Sequence, residues 1–215
     1  MTGNVLAVLI AYFLGAIPVG LTLSRLMRGV DIRQYGSGKT GATNVLRTLG
    51  VKAAIFVLLL DIGKGVAAVY IAKTIGDSPW AASLAGIAAV CGHNWSVYIR
   101  FTGGRGVNTG FGALLAIAPL AGLITVLAAI LVMALWRFVS LGSIIGALVG
   151  GSLVIAFTAT DRIDGAYVAF GVIVATLIIA VHRDNIQRLL AGNERKLGQK
   201  AAVGAPGAPP PEATR

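Results

Sequence analysis

Residues 107–136 read VNTGFGALLAIAPLAGLITVLAAILVMALW, an unbroken apolar stretch with Pro119 near its middle. A helix needs about 20 apolar residues to cross a hydrocarbon core of roughly 30 Å. The stretch is too long for one crossing and too short for two ordinary ones. Proline cannot donate into a helix, so the sequence predicts a short helix and a following one that meet near Pro119. Apolar runs near 4–25, 53–75 and 80–99 precede it, and runs at 140–159 and 165–182 follow. The expected fold is an all-α polytopic membrane protein with seven transmembrane helices.

Composition agrees. Of 215 residues 56% are hydrophobic and only 12% charged, and the mean hydropathy is +0.83, which excludes a soluble domain. The start, MTGNVLAVLIAYFLGAIPVGLTLSRLMR, has no positive n-region and no small-residue cleavage site, so it reads as an uncleaved first span. The single cysteine, Cys91, sits in an apolar run and reads as a buried spectator. Residues 1–198 form the membrane domain, with loops at 29–52, 92–106 and 182–196. The tail 199–215 is rich in Ala, Pro and Gly, has nothing to bury, and is expected to be disordered.

Charge orients the bundle. Of 18 Lys and Arg residues, Lys64 falls within a span, Lys73 and Arg162 lie on one side, and the remaining fifteen lie on the other. Lys and Arg in short loops favour the cytoplasm, so the N-terminus is expected outside and the C-terminus inside. A basic cytoplasmic face beside anionic membrane lipid accounts for the net charge of +10. No zinc ligands, RNA-binding aromatics or recognition helix point to nucleic acid.

Three glycine-rich basic segments then share the cytoplasmic face: GSGKTGATNVLRTLG at 36–50, GHNWSVYIRFTGGRG at 92–106 and HRDNIQRLLAGNERK at 182–196. Glycine loops let backbone N–H groups close around an anion and arginines neutralise it, so their convergence predicts a site for phosphate at a bilayer surface. The first segment is not a nucleotide-hydrolysing P-loop. That motif needs a glycine five residues before its Gly-Lys pair, where Arg33 stands, and a leading strand, where a membrane helix stands. Its functional features are Gly36, Gly38 and Gly41, the hydroxyls of Ser37, Thr40 and Thr43, and Arg47 one helical turn beyond Thr43.

In the second segment Gly103, Gly104 and Arg105 open the short helix, an anion-site geometry, while His93 suits packing as well as function. In the third, which continues the seventh helix out of the membrane, His182 and Asn185 share one face, Arg188 follows, and Gly192 reads as the residue that ends the helix. Asp61 and Lys64, three apart in the second span, read as a structural ion pair. Ser140 and Ser143, in RFVSLGSI, are either helix caps or hydroxyls facing the site of Arg47 and Arg105.

Taken together, GSGKTGATNVLRTLG, GHNWSVYIRFTGGRGV, RFVSLGSI and HRDNIQRLLAGNE resemble the bacterial acyl-phosphate:glycerol-3-phosphate acyltransferase family over residues 1–198. The resemblance implies transfer of a fatty acyl group from acyl phosphate to the 1-hydroxyl of glycerol-3-phosphate. The product would be lysophosphatidic acid, made in the first step of membrane phospholipid synthesis at the cytoplasmic face of the bacterial inner membrane. It also implies no cofactor or metal, no acyl-CoA or acyl carrier protein as direct donor, and a functional link to the enzyme that makes acyl phosphate.

By position, the resemblance assigns Ser37, Arg47, Arg105, Ser143, His182 and Asn185 to glycerol-3-phosphate, and the Gly36–Thr43 loop to the acyl-phosphate pocket. His182, Asn185, Arg47 and Arg105 are the catalytic candidates; Ser37, Gly36, Gly38, Gly41, Thr43, Gly103, Gly104 and Ser143 are the binding candidates. Departures are Lys39-Thr40 in place of Asn-Pro, Ser96 in place of proline, Thr102 and Arg105 in place of two lysines, and Asn108 in place of alanine.

An activated donor asks the protein to hold two phosphates, align the hydroxyl and stabilise the oxyanion. Neither histidine is followed five residues on by aspartate, since Tyr98 and Gln187 stand there, which excludes the soluble-fold glycerolipid acyltransferases. The implied mechanism uses the donor's own phosphate as base, with His182 as base the alternative. A different class, a small transporter or channel for a phosphorylated solute, would use Asp61, Lys64 and the short fourth helix along its path.

Overall fold

The computed structural model describes residues 2–199, so the tail expected to be disordered lies outside the described residues from Lys200 onward. The described chain is helical: α1 (Thr2–Ala16), α2 (Val19–Arg28), α3 (Ala42–Leu49), α4 (Val51–Ile75), α5 (Pro79–Asn94), α6 (Val107–Ile117), α7 (Pro119–Trp136), α8 (Val139–Ala159), α9 (Tyr167–Val181) and α10 (Arg183–Leu190). No strand occurs among the described residues beyond an isolated antiparallel bridge between Ser96 and Thr102.

Helix α1 runs along α5, with Ala7 and Ala11 facing a row that includes Ala81, Ala85 and Ala89, all fully buried. Lipid tails are as apolar as any side chain, so helices here associate through close packing of small residues. The large side chains point outward instead: Leu123, Leu127, Leu131 and Leu135 on α7 are each more than half exposed, as a lipid-facing surface requires.

The division at Pro119 is as the sequence predicts, because α6 ends at Ile117 and α7 starts on the proline. Other boundaries differ. The first span bends at Ile17-Pro18, where α1 gives way to α2. The third run, expected over 80–99, is helical only to Asn94, and its last residues turn back as a short 3₁₀ segment at Val97–Ile99. Ser96 holds that turn, its carbonyl accepting from Phe101 N (2.8 Å), its own N–H donating to Thr102 O (3.2 Å) and its hydroxyl to Ala16 O (2.5 Å). The first motif segment carries helix α3, which its glycines and hydroxyls hide in the sequence.

Four segments among the described residues are long and apolar enough to cross a membrane: Thr2–Arg28, Val51–Ile75, Pro119–Trp136 and Val139–Ala159. The bent pair α9 and α10 makes a fifth if taken as one span. Helices α5 and α6, at 16 and 11 residues, are shorter than a full crossing; at 1.5 Å per residue they extend only about 24 and 16 Å.

Candidate active site

The first motif segment is organised by Asn44, a residue that nothing in the sequence singles out. Its side-chain amide lies within bonding distance of three carbonyls, Ile32 O (3.2 Å), Tyr35 O (3.0 Å) and Lys39 O (2.8 Å), and its oxygen accepts from Ser37 N (3.0 Å). A single buried side chain thus replaces the ladder bonds that a glycine loop lacks. Arg33 ties this segment to the second one, donating to Thr102 Oγ1 (3.0 Å) while paired with Asp31 (2.6 Å). That guanidinium holds the Asp31 carboxyl down at about 2 against the opposing effect of burial.

The third segment does not continue the seventh helix. The chain bends by 58° between α9 and α10, with His182 at the corner. The cause is local: His182 Nδ1 lies 2.7 Å from Ile178 O, so the ring inserts into the helix's own ladder. A carbonyl only accepts, so Nδ1 carries the hydrogen, and the neutral ring keeps an acceptor lone pair on Nε2. At the other end of α10, Gly192 takes φ +72° as expected. Asn193 N bonds Arg188 O and Gly192 N bonds Leu189 O, the paired closure of a Schellman motif.

That closure folds the next residues back onto the helix, and Glu194 lands among them. Its carboxylate accepts from Ser140 Oγ (2.8 Å), Asn185 Nδ2 (2.6 Å) and Arg188 Nε (2.6 Å). Burial alone would raise its pKa, but the hydrogen bonds from Asn185, Ser140 and Arg188 outweigh burial and hold it below the ordinary value. Neither serine of RFVSLGSI caps α8, whose N-cap position is Phe138. Ser140 instead bonds Glu194, and Ser143 bonds Val139 O (2.9 Å) one turn back.

These three segments enclose one polar cavity of about 210 Å³. Ser37, Gly41, Thr43, Arg47, Arg105, Ser143, His182 and Asn185 all line it, so most of the residues singled out in the sequence meet in space. Gly36, Gly38, Gly103 and Gly104 are absent from its wall. The amides of Gly38 and Gly104 are also committed, to Tyr35 O and His93 O, so these two N–H groups are not free to bind an anion. Lys39, Asn44, Asp61, His93, Asn108, Ser140 and Glu194 join the wall. Lys39 and Asn108 are among the departures noted above, whereas Thr102 is held by Arg33 and lies outside the wall.

Three buried polar atoms of the lining have no partner in the protein: Asp61 Oδ2, Arg105 Nε and Asn185 Oδ1. Unpaired buried groups carry the full desolvation penalty, so charged and amide atoms left without partners on the cavity wall suit a polar ligand. The ligand's charge follows from the cations. Burial depresses the pKa of Arg105, and the Arg188 charge adds to this; burial likewise depresses Arg47, with Arg195 beside it. Both remain protonated, and an anion between them would relieve the strain of crowded positive charge.

A second, apolar cavity of about 290 Å³ lies between α4, α6, α7, α8 and α9. Leu58, Val107, Asn108, Met133 and Ser143 line both, so the two spaces adjoin. On α8 the apolar space is floored by Gly142, Gly146 and Gly150, four residues apart on one helix face.

Such a bundle, with a cationic pocket opening onto an apolar one between apolar helices, is that of an integral membrane protein. The chain belongs to the glycerol-3-phosphate acyltransferase family, whose model matches residues 5–192. It is 47% identical over 199 residues to a glycerol-3-phosphate acyltransferase of Thermoanaerobacter pseudethanolicus, covering 93% of this chain and 98% of the relative. It is 48% identical over 197 residues to glycerol-3-phosphate acyltransferase 1 of Deinococcus radiodurans, covering 92% and 97%. Among solved structures it resembles PlsY (YgiH), an integral membrane glycerol 3-phosphate acyltransferase. The glycerol 3-phosphate form superposes with a TM-score of 0.84 at 36% identity, over 91% of this chain and 96% of that one. The lysophosphatidic acid form superposes with a TM-score of 0.81.

Proposed function

We propose that the protein transfers a fatty acyl group from acyl phosphate to the 1-hydroxyl of glycerol-3-phosphate, giving lysophosphatidic acid and inorganic phosphate. The observation that carries this reading is the junction of the two cavities. A donor that is both a phosphate and a fatty chain needs a cationic space and an apolar one side by side, and here they share Leu58, Val107, Asn108, Met133 and Ser143. Arg47 and Arg105 hold the phosphates, and Ser37, Gly41 and Thr43 from the first segment close around them.

The hydroxyl of glycerol-3-phosphate attacks the acyl carbonyl carbon, the bond from that carbon to the phosphate oxygen breaks, and the hydroxyl proton passes to the departing phosphate. His182, whose Nδ1–H is held by Ile178 O, offers its Nε2 lone pair to orient the attacking hydroxyl, with Asn185 beside it. The donor being already activated, positioning supplies most of the acceleration. On the seven-span topology with the N-terminus outside that the charge bias supports, this site would lie at the cytoplasmic face of the bacterial inner membrane, where glycerol-3-phosphate and the enzyme making acyl phosphate would meet it.

The test is direct. Purified protein in detergent is expected to make lysophosphatidic acid from palmitoyl phosphate and glycerol-3-phosphate. Equal or better use of palmitoyl-CoA would show the donor to be wrong; no transfer in detergent, with uptake of glycerol-3-phosphate into vesicles, would favour a transporter. For topology, a cysteine at Ala159 in a Cys91→Ala background is expected to label from outside intact cells and one at Gln199 is not. The reverse pattern would put the site on the wrong face.

A further inference from the structure

An activated donor sets three tasks, and two of them have residues: Arg47 and Arg105 hold the phosphates, and His182 with Asn185 aligns the hydroxyl. The third, a hydrogen-bond donor for the oxyanion, has none in the mechanism above. Its place follows from the shape of the substrate. The carbonyl of an acyl phosphate joins the phosphate to the chain. With the phosphate in the polar cavity and the chain in the apolar one, the carbonyl lies at the wall they share. That wall is Leu58, Val107, Asn108, Met133 and Ser143.

Leu58, Val107 and Met133 have no side-chain donor. Ser143 has one hydroxyl hydrogen, and it goes to Val139 O (2.9 Å). Asn108 has two amide hydrogens, and its side chain makes no hydrogen bond among the described residues. Local structure does not call for an asparagine there. Gly106 is the N-cap of α6, so Asn108 stands inside the helix, where asparagine is a poor former. A half-buried amide without a partner also carries a desolvation cost.

The turn that carries Asn108 is held still. Thr109, the next residue, is fully buried, and its carbonyl lies where a Cβ on Gly65 of α4 would overlap it; Ile62 O lies likewise against Gly112. Gly106 O accepts from Gly110 N (2.7 Å) and starts the helix. Close contact between small residues thus pins α6 to α4 around Asn108. A donor fixed before the reaction needs no reorganisation as charge develops.

We propose that Asn108 donates an Nδ2–H to the acyl carbonyl oxygen as that oxygen becomes an oxyanion. This rests on the acyl-transfer reading. As the glycerol hydroxyl oxygen bonds to the carbonyl carbon, one electron pair of the C=O bond moves onto the oxygen, where the amide meets it. The pair returns as the bond from carbon to the phosphate oxygen breaks, and the phosphate leaves with the hydroxyl proton. A neutral amide suits this place. It adds no attraction for phosphates that the arginines already hold, and it acts on a charge that exists only in the transition state. Asn108 stands where the family it resembles has alanine, so this donor is particular to the chain, and its loss should slow the reaction without abolishing it.

Two substitutions test it. Asn108→Ala removes the amide and suits a helix; Asn108→Asp keeps the shape and the oxygens but loses both N–H groups. With palmitoyl phosphate and glycerol-3-phosphate, each is expected to lose roughly 10–100-fold in kcat. That is less than the about 10²–10³-fold of an enclosed oxyanion donor, because Asn108 is only half-buried. For Asn108→Ala neither KM should move much. Hexadecyl phosphate, which has the phosphate and the chain but no carbonyl, should inhibit that variant as well as it inhibits the wild type.

Wild-type kcat in either folded variant would overturn the proposal, and so would inhibition by hexadecyl phosphate that weakens as much as kcat falls. Should neither variant fold, the infrared carbonyl band of a palmitoyl phosphonate bound to the wild type decides. A donor lowers that band below its position in apolar solvent, and an unshifted band overturns the proposal. Inactive wild-type protein would instead overturn the acyl-transfer reading on which it rests.

Discussion

Replacing Glu194 should unfasten the polar half of the site. Its carboxylate, only 4% exposed, accepts from Ser140 on α8 and from Asn185 and Arg188 on α10, and so joins two helices and the segment that follows them. Glu194→Ala strands three donors, one of them a cation. Arg188 is 38% exposed, so the loss falls below the figure of about 3–5 kcal/mol for a fully buried pair, at roughly 2–3 kcal/mol. At about 2–4 °C per kcal/mol for a chain of this size, the melting temperature should fall by roughly 4–12 °C. Tryptophan fluorescence during heating in detergent measures this, and Glu194→Gln, which keeps one acceptor oxygen, should fall between the two.

The effect carries a pH signature. The folded pKa lies below the ordinary value of 4.5, so the stabilisation is fully present above that value and is lost as pH falls through it toward the folded pKa. The gap between wild type and Glu194→Gln should therefore be widest near pH 7 and narrow below about pH 4.5. A gap that is absent, or constant from pH 7 to pH 3, would refute the reasoning.

Sequence made the apolar runs legible because each depends on an average over many residues. The uncharged run 107–136 divides at Pro119 in both sequence and structure, and Arg47, Arg105, His182 and Asn185, from three separate motif segments, meet in one cavity. What sequence hid depends on single contacts between distant segments. Asn44 and Glu194 look like ordinary loop polars, and their roles appear only when backbone carbonyls 5 to 12 residues away, or a serine 54 residues away, are brought within bonding distance. The bend at His182 is equally invisible, since no proline or glycine marks it and the ring itself displaces the helix bond. Glycines misled in another way. Gly38 and Gly104 read as anion-binding amides, yet in the structure their N–H groups close the loops on themselves.

Several other measurements bear on the site. Arg105→Ala removes a buried cation from the cavity and should raise KM for glycerol-3-phosphate by roughly 10–100-fold, the equivalent of about 1.5–3 kcal/mol for a charged hydrogen bond; an unchanged KM would remove Arg105 from the phosphate contacts. Gly146→Leu places a side chain on the floor of the apolar cavity, so turnover with palmitoyl phosphate should fall well below turnover with a short acyl phosphate, and equal losses with both would place the chain elsewhere.

The last separates orientation from base catalysis at His182. Its Nδ1–H is committed to Ile178 O, so only the Nε2 lone pair faces substrate. His182→Gln can still accept a hydrogen bond there through its amide oxygen but cannot take up a proton. If the donor phosphate is the base, this variant keeps measurable kcat and its pH profile keeps every limb of the wild type's. If kcat vanishes while glycerol-3-phosphate still binds, the proton goes to the ring, and the phosphate is leaving group alone.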